Sequence, residues 1–305
     1  MIGKKKRNDV AGFSIRLMDN ILCLHEELAK RIYEHGSYQS FKISDPKPRH
    51  IHKASIRDRL IHHAIHRILY PYFDRKFIYD SYSCRTFKGT HRAMNRFKFF
   101  ARKVSQNHTH TAWVLKCDIK SFFASIDHSV LNHILRQQVS EEYVLWLLGE
   151  VIDSFHTSDM PGVGLPLGNL TSQLFINIYM NELDQFVKRK LEVRYYIRYA
   201  DDFIIVHEDR KFLAKIIPQI STFLEENLKL TLHPNKLCIK TFESGVDFLG
   251  WVHFPHCRIL RTSTKRRILK RLQKNSSVET IASYFGVLSH GNTHKIIKRM
   301  QDNFW

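Results

Sequence analysis

The sequence predicts an α+β fold, an antiparallel sheet with helices on one face. Three observations lead there. Two apolar runs, Tyr195–Tyr199 and Phe203–Val206, flank a tight acidic bend and read as a β-hairpin. A third run, Trp113–Ile119, has the length and apolar density of a buried strand. Longer segments with apolar residues at helical spacing separate these runs, so strands and helices are mixed along the chain.

The elements follow in order. Residues 13–35 predict one helix with Ile15, Leu17, Met18, Ile21, Leu22 and Leu28 on one face. A basic extended stretch, Phe41–Ile51, leads to a helix over about 55–70, whose apolar face is Leu60, Ile61, Ala64, Ile65, Ile68 and Leu69. His62, His63 and His66 fall on its flanks, and no H-E-x-x-H pattern is present, so they read as packed or RNA-facing rather than metal-bound. Ser81–His91 is a polar, basic turn before an amphipathic helix at 91–103. After the strand at 112–119, Asp127 reads as the cap of a helix at 128–138, and another helix covers 141–154. Met160–Gly168 is dense in Pro and Gly, hence a constrained loop. It feeds a helix from Asn169 to about Lys190, with Asn169 or Thr171 as cap. The acidic hairpin, a helix at 211–227 and short strands near 230–232 and 246–252 come next. From about 260 the chain is basic and helical, and the one candidate boundary lies near 255–262.

The chain has 305 residues, 43% of them hydrophobic, enough for one large or two modest domains with a real core. Its formal charge of +19 suits a polyanionic partner, nucleic acid above all. No apolar run approaches a membrane span, so no membrane partner is expected. Met1–Arg7 is charged but has no apolar segment after it, and reads as a phosphate-contacting or disordered tail rather than a signal. Five widely spaced cysteines suggest neither zinc nor a disulfide framework, and a cytoplasmic location fits.

Asp118, Asp201 and Asp202 carry the chemistry. Asp118 ends a buried strand, where an acid is costly unless paired or holding a cation. Asp201 and Asp202 sit at the hairpin tip, either as a solvated turn or as a seat for Mg²⁺. Two such ions roughly 3.5–4 Å apart stabilise the attacking and leaving oxygens of an in-line phosphoryl displacement, and acids from separate strands are what bridging them requires.

With these residues in place, the chain resembles the reverse transcriptases. Asp118 resembles the acid of motif A, and Tyr199-Ala200-Asp201-Asp202 resembles motif C. Leu165–Gln173 stands where the family has LPQG-x-x-x-SP, His233–Lys236 looks like motif D, and Asp247–Trp251 looks like the primer-grip hairpin. Upstream, Pro48-Arg49-x-Ile51 with Arg57–Arg59, and Asp80–Arg85 through Lys88–His91, resemble the two fingers motifs. The match runs in order from about 45 to 255. Leu167 replaces the usual Gln, and Ser172-Gln173 the usual Ser-Pro; with Ser-Tyr-x-Cys-Arg and Lys-Gly-Thr-His this looks most like the enzymes of diversity-generating retroelements.

The resemblance implies a right-hand polymerase fold. It divides as an N-terminal basic, helical extension at 1–45, fingers at 46–111, a palm with finger insertions at 112–255 and a short helical thumb at 256–305. It implies two Mg²⁺ ions, with Mn²⁺ as a substitute, on Asp118, the Ile119 carbonyl, Asp201 and Asp202. Arg85 and Lys88 would neutralise the incoming triphosphate, unless they are a solvated basic loop. Lys236 would protonate pyrophosphate or simply contact phosphate. Phe122, in preference to Phe123, would exclude a ribose 2′-hydroxyl. Leu167, Gly168 and Gln173 would flank the nascent pair. An aliphatic Leu167 cannot make the hydrogen bonds of a Gln and is associated in that group with misincorporation at template adenines; it otherwise merely packs. Phe248, Leu249 and Gly250 would position the primer end. Lys265, Arg266, Arg267, Lys270 and Arg271 would track the duplex backbone, or form an ordinary exposed helix face.

The implied function is RNA-directed DNA synthesis. Template RNA, cDNA primer and product, and dNTPs are the partners, with a small basic accessory protein in the retroelement setting. The alternatives are an anti-phage or retron-type reverse transcriptase and a catalytically silent RNA-binding scaffold. Only residues 256–305 follow the primer-grip match, too few for a thumb plus DNA-binding and endonuclease domains or an RNase H domain.

Overall fold

The computed structural model describes residues 7–44, 48–158, 160–274 and 277–304. Met1–Lys6 of the expected basic tail and Asp45-Pro46-Lys47 of the basic stretch lie outside the described residues. The helices are α1 (Asn8–Ile15), α2 (Leu17–Ala29), α3 (Ile56–Asp74), α4 (Thr90–Val104), α5 (His128–Arg136), α6 (Glu142–Asp153), α7 (Leu170–Gln185), α8 (Arg210–Leu228), α9 (Thr262–Lys274), α10 (Val278–Leu288) and α11 (His294–Phe304). The strands are β1 (Gln39–Ile43), β2 (Arg49–Lys53), β3 (Trp113–Asp118), β4 (Tyr196–Tyr199), β5 (Asp202–His207), β6 (Cys238–Thr241), β7 (Val246–Phe248), β8 (Trp251–His253) and β9 (Arg258–Leu260). The chain forms two compact units, one from residues 1–78, 119–185 and 222–231, the other from 79–118, 186–221 and 232–305.

In the first unit, α7 packs on α3 and α5, and β1 pairs with β2 as a hairpin. Residues around most of the circumference of α7 are buried, from Thr171 to Asp184, as befits a central helix. α3 begins at Ser55, whose Oγ accepts from the Asp58 N–H at 3.1 Å, satisfying one free donor of the first turn. Asp127 caps α5 in the same way, accepting from the Val130 N–H at 2.9 Å.

The second unit holds a four-stranded antiparallel sheet in the order β4-β5-β3-β6 and a three-stranded meander β7-β8-β9. α4 covers the sheet: Ala93, Phe97, Phe100 and Ala101 share one apolar cluster with Val114, Ile197, Ile204, Val206, Phe242 and Phe248. Phe97 is fully buried, so truncating it to Ala would cost about 3–5 kcal/mol. A second cluster joins Trp251 and Leu260 to Ile268, Leu272, Ile281, Leu288 and Met300 of the last three helices.

Several expectations are corrected. The helix expected at 13–35 is two helices that break at Arg16 (φ −117°, ψ 48°), and its apolar face is exposed: Ile15 and Met18 are 84% and 65% accessible. On α3, Ala64 and Ile68 are exposed, and His62 takes a place among the buried residues Ile61, Ile65, Leu69 and Phe73. The strand expected near 230–232 is reduced to a single β-bridge at Leu232; β6 at Cys238–Thr241 supplies the strand that pairs with β3. The run 246–252 is two strands and a turn, the hairpin that the resemblance implied, and the helix expected to about Lys190 does reach it, α7 ending at Gln185 and a wider helical turn covering Phe186–Lys190. Neither Asn169 nor Thr171 spends its side chain on a cap. The Asn169 amide donates to the His52 carbonyl at 2.8 Å, and Thr171 Oγ1 meets His62 Nδ1 at 2.9 Å.

Candidate active site

β3 and β5 are central strands, and their last pairing sets Asp118 opposite Asp202. Tyr199 pairs with Asp202 across β4 and β5, leaving Ala200 and Asp201 as a two-residue turn. Ala200 has φ +54°, a conformation that a Cβ disfavours. Sheet register and turn thus set three carboxylates at one sheet end.

Asp202 is the most perturbed of them. Its Oδ1 is buried without a hydrogen-bond partner among the described residues. Burial pushes its carboxyl up to about 7; the Lys116 ammonium pulls the other way, and Asp118 and Asp201 add to the rise. Lys116 Nζ lies 3.6 Å from Asp202 Oδ2 and donates to the Asp247 carbonyl at 2.6 Å. Lys236 Nζ donates to Asp118 Oδ1 at 2.7 Å, and the His233 N–H donates to the Asp118 carbonyl at 2.8 Å. Asp118 and Asp202 therefore stand as partners of two ammonium groups, and among the described residues no three His, Cys, Asp or Glu side chains are gathered as a group that could hold a metal ion. The donor set itself fits a hard divalent cation: carboxylate oxygens, one of them orphaned and desolvated.

Arg198 is wholly buried behind the turn. Its guanidinium donates to the Ala200 carbonyl at 3.1 Å and to Ser81 Oγ at 3.2 Å, while Ser81 and Arg198 also form a parallel bridge. The loop bearing Arg85 and Lys88 is stitched to the acid turn by this residue. Arg85 donates to the Ser81 carbonyl at 3.1 Å, and Lys88 Nζ donates to the Tyr79 carbonyl at 2.7 Å.

The expected primer-grip residues form the β7–β8 turn. Phe248 is buried, and Leu249 (φ +52°) and Gly250 (φ +87°) take the left-handed pair typical of the tightest hairpins. On α9, Lys265, Arg266, Lys270 and Arg271 are exposed and Arg267 is half-buried, while Ile268 and Leu272 turn inward.

The remaining expected residues belong to the first unit. Ile119 and Phe122 are buried, Phe123 is half-buried. The Leu167 carbonyl accepts from the His52 N–H at 3.0 Å, and Leu167 and Gln173 are half-buried. Gly168 (φ +111°) lies against β2, where an added Cβ would meet Ile51 Cγ2 at 2.8 Å.

Sequence reasoning missed Lys116 and Arg198. A signal existed. Strand side chains alternate, so Lys116 shares a face with Asp118, and Arg198 interrupts an aromatic, aliphatic run where a solvated cation has no place.

The sequence matches the reverse transcriptase (RNA-dependent DNA polymerase) family over residues 42–253. The chain belongs to that family. It is similar to Protein YkfC of Escherichia coli, with 26% identity over 77% of this chain and 71% of that protein. It is similar to the group II intron-encoded protein LtrA of Lactococcus lactis, with 23% identity over 79% of this chain and 50% of that protein, so it spans half of LtrA. The fold is that of the right-hand polymerases. A telomerase structure from Candida albicans, in complex with a fragment of telomeric RNA, superposes with a TM-score of 0.58 at 11% identity, covering 93% of this chain and 58% of that one. Among the described residues no helix is long and apolar enough to cross a membrane.

Proposed function

We propose that this reverse transcriptase copies a template RNA into cDNA by nucleotidyl transfer at Asp118, Asp201 and Asp202. The observation that carries this is the pairing of Asp118 with Asp202, beside a turn bearing Asp201, with one buried carboxylate oxygen left unsatisfied. Such an oxygen calls for a cation. The three carboxylates, with the Ile119 carbonyl, would hold Mg²⁺, two ions in the full site, or Mn²⁺ in its place. When bound, the ions lower the pKa of a primer 3′-hydroxyl and neutralise the triphosphate.

The chain's own residues then have distinct tasks. Lys116 and Lys236 hold the acids in position while the charge is uncompensated. Lys236 exchanges its carboxylate for a phosphate or protonates the leaving pyrophosphate. Arg85 and Lys88 take the triphosphate, and Phe248–Gly250 place the primer end. Phe122, or the half-buried Phe123 next to it, excludes a 2′-hydroxyl. Template RNA, primer and dNTPs are the partners. Residues 46–111 act as fingers, 112–255 as palm and 256–305 as thumb.

Leu167 supports a finer assignment to the diversity-generating enzymes, with misincorporation at template adenines. Similarity to LtrA supports a second reading, copying of an intron RNA. Primer extension on an RNA template with Mg²⁺ tests the activity. Wild-type protein is expected to extend, and Asp202→Asn to lose several orders of magnitude in rate; a folded wild type that extends nothing leaves only an RNA-binding scaffold. Sequencing of the products tests the finer reading. Leu167→Gln should copy adenine more accurately than the parent, and equal error at adenine removes the assignment.

A further inference from the structure

The loop before α4 and the outer face of α4 line an open hollow of about 310 Å³ in the second unit. Its walls are unusual for a protein surface. Tyr79 is 68% exposed and Phe99 44% exposed, so two large rings face solvent. Tyr82, Lys88, Arg92 and Arg96 complete the working part of the lining, and no carboxylate lines it among the described residues. The nearby acid, Asp80, is buried and committed to Arg96, which donates to its two oxygens at 2.8 and 3.3 Å. Three cations therefore meet one neutralised acid.

Rings and cations are arranged together. Lys88 Nζ sits 3.4 Å from the centre of the Tyr79 ring and 5.0 Å from that of Tyr82. The Arg96 guanidinium carbon is 5.3 Å from the Tyr79 ring and 5.2 Å from the Phe99 ring. Each exposed ring is thus backed by charge while keeping open surface. Aliphatic or proline-rich ligands would make no use of the positive charge around these rings. A nucleic-acid strand uses both features, because a base stacks on a ring face and its phosphate meets the adjacent cation.

We propose that Tyr79, Phe99 and Arg92 form a stacking site for single-stranded nucleic acid, separate from the carboxylate centre. The assignment rests on the polymerase reading only for the presence of RNA and cDNA strands. Two rings rather than one favour successive bases of a strand over a single nucleotide. Stacking gives the site its tolerance of sequence, and Arg92 gives it salt dependence.

Fluorescence anisotropy of a short labelled oligoadenylate RNA, with full-length protein and without divalent metal, tests this. Tyr79→Ala with Phe99→Ala should weaken binding by about tenfold or more at unchanged salt slope. Tyr79→Phe with Phe99→Tyr should restore it, which a merely structural loss would not allow. Arg92→Ala should weaken binding and lower the salt slope by about one. Both rings are largely outside the core, and a thermal melt checks that the fold is intact. Wild-type affinity in the double alanine variant overturns the site. Equal competition by AMP overturns the strand assignment, and equal competition by an acidic peptide of matched charge overturns the nucleic-acid assignment. Primer extension by the wild type reports on the polymerase reading independently, since binding without metal requires no catalysis.

Discussion

Asp202 shows how one carboxylate is shaped by its surroundings. Folding places it on a buried strand end, where burial pushes its carboxyl up to about 7 and one oxygen finds no donor among the described residues. A divalent ion that binds the folded state alone would relieve that strain. Titrating Mg²⁺ or Mn²⁺ should therefore raise the melting temperature of the wild type and leave Asp202→Asn nearly unmoved, measured by differential scanning fluorimetry. His62 illustrates the opposite sign. Burial, helped by His35, lowers its imidazole to about 4, and its ring nitrogens meet Thr171 and His35 at 2.9 Å each. Below about pH 6.5 the unfolded chain binds a proton that the folded chain refuses. The His62 contribution to stability should then fall as pH drops from about 6.5 toward 4, by about 3 kcal/mol, and stay flat above that window, while Asp202, raised to about 7, titrates with the opposite sign across the same range. Urea melts of wild type and His62→Gln at either end of the window check it. The variant should show the shallower decline, with His253, also lowered to about 4, supplying the remainder.

The acid turn is the element on which the site depends, and it is built under backbone strain. Ala200 occupies a left-handed conformation in a two-residue hairpin, where glycine is the usual choice. Ala200→Gly should stabilise the fold by about 1 kcal/mol. It should also slow primer extension, because the acids lose a rigid mount; melting and extension assays on one preparation read both effects. The turn was legible in the sequence because two apolar strands bracket two acids. Helices with clear apolar stripes, α4, α5, α6 and α8, were legible for the same reason. Other elements were not. A continuous apolar stripe over 13–35 says nothing of the break at Arg16, and it leaves Met18 and Leu22 outward. β6 is a short strand, Cys-Ile-Lys-Thr, beside a proline turn, with too few residues for a period to declare itself. Lys116 and Arg198 were passed over because apolar runs invite a reading by average hydrophobicity, which hides a single cation fixed by tertiary pairing.

At the scale of the molecule, 48 Lys and Arg against 29 Asp and Glu set the interaction with nucleic acid. If the duplex is followed by the exposed cations of α9, several phosphates are neutralised at once. Affinity for a primed RNA template should fall on the order of a thousandfold between low and physiological salt, with a log–log slope that shrinks by about one for each cation removed from α9. Filter binding across a salt series measures it. The same helix closes the second apolar cluster, and Leu249 packs against that cluster and against the one beneath the four-stranded sheet. A single left-handed leucine is thus a hinge pin common to two cores. Any tilt of the last three helices is felt at the hairpin tip, so the β7–β8 turn and the seating of the C-terminal helices must move as one.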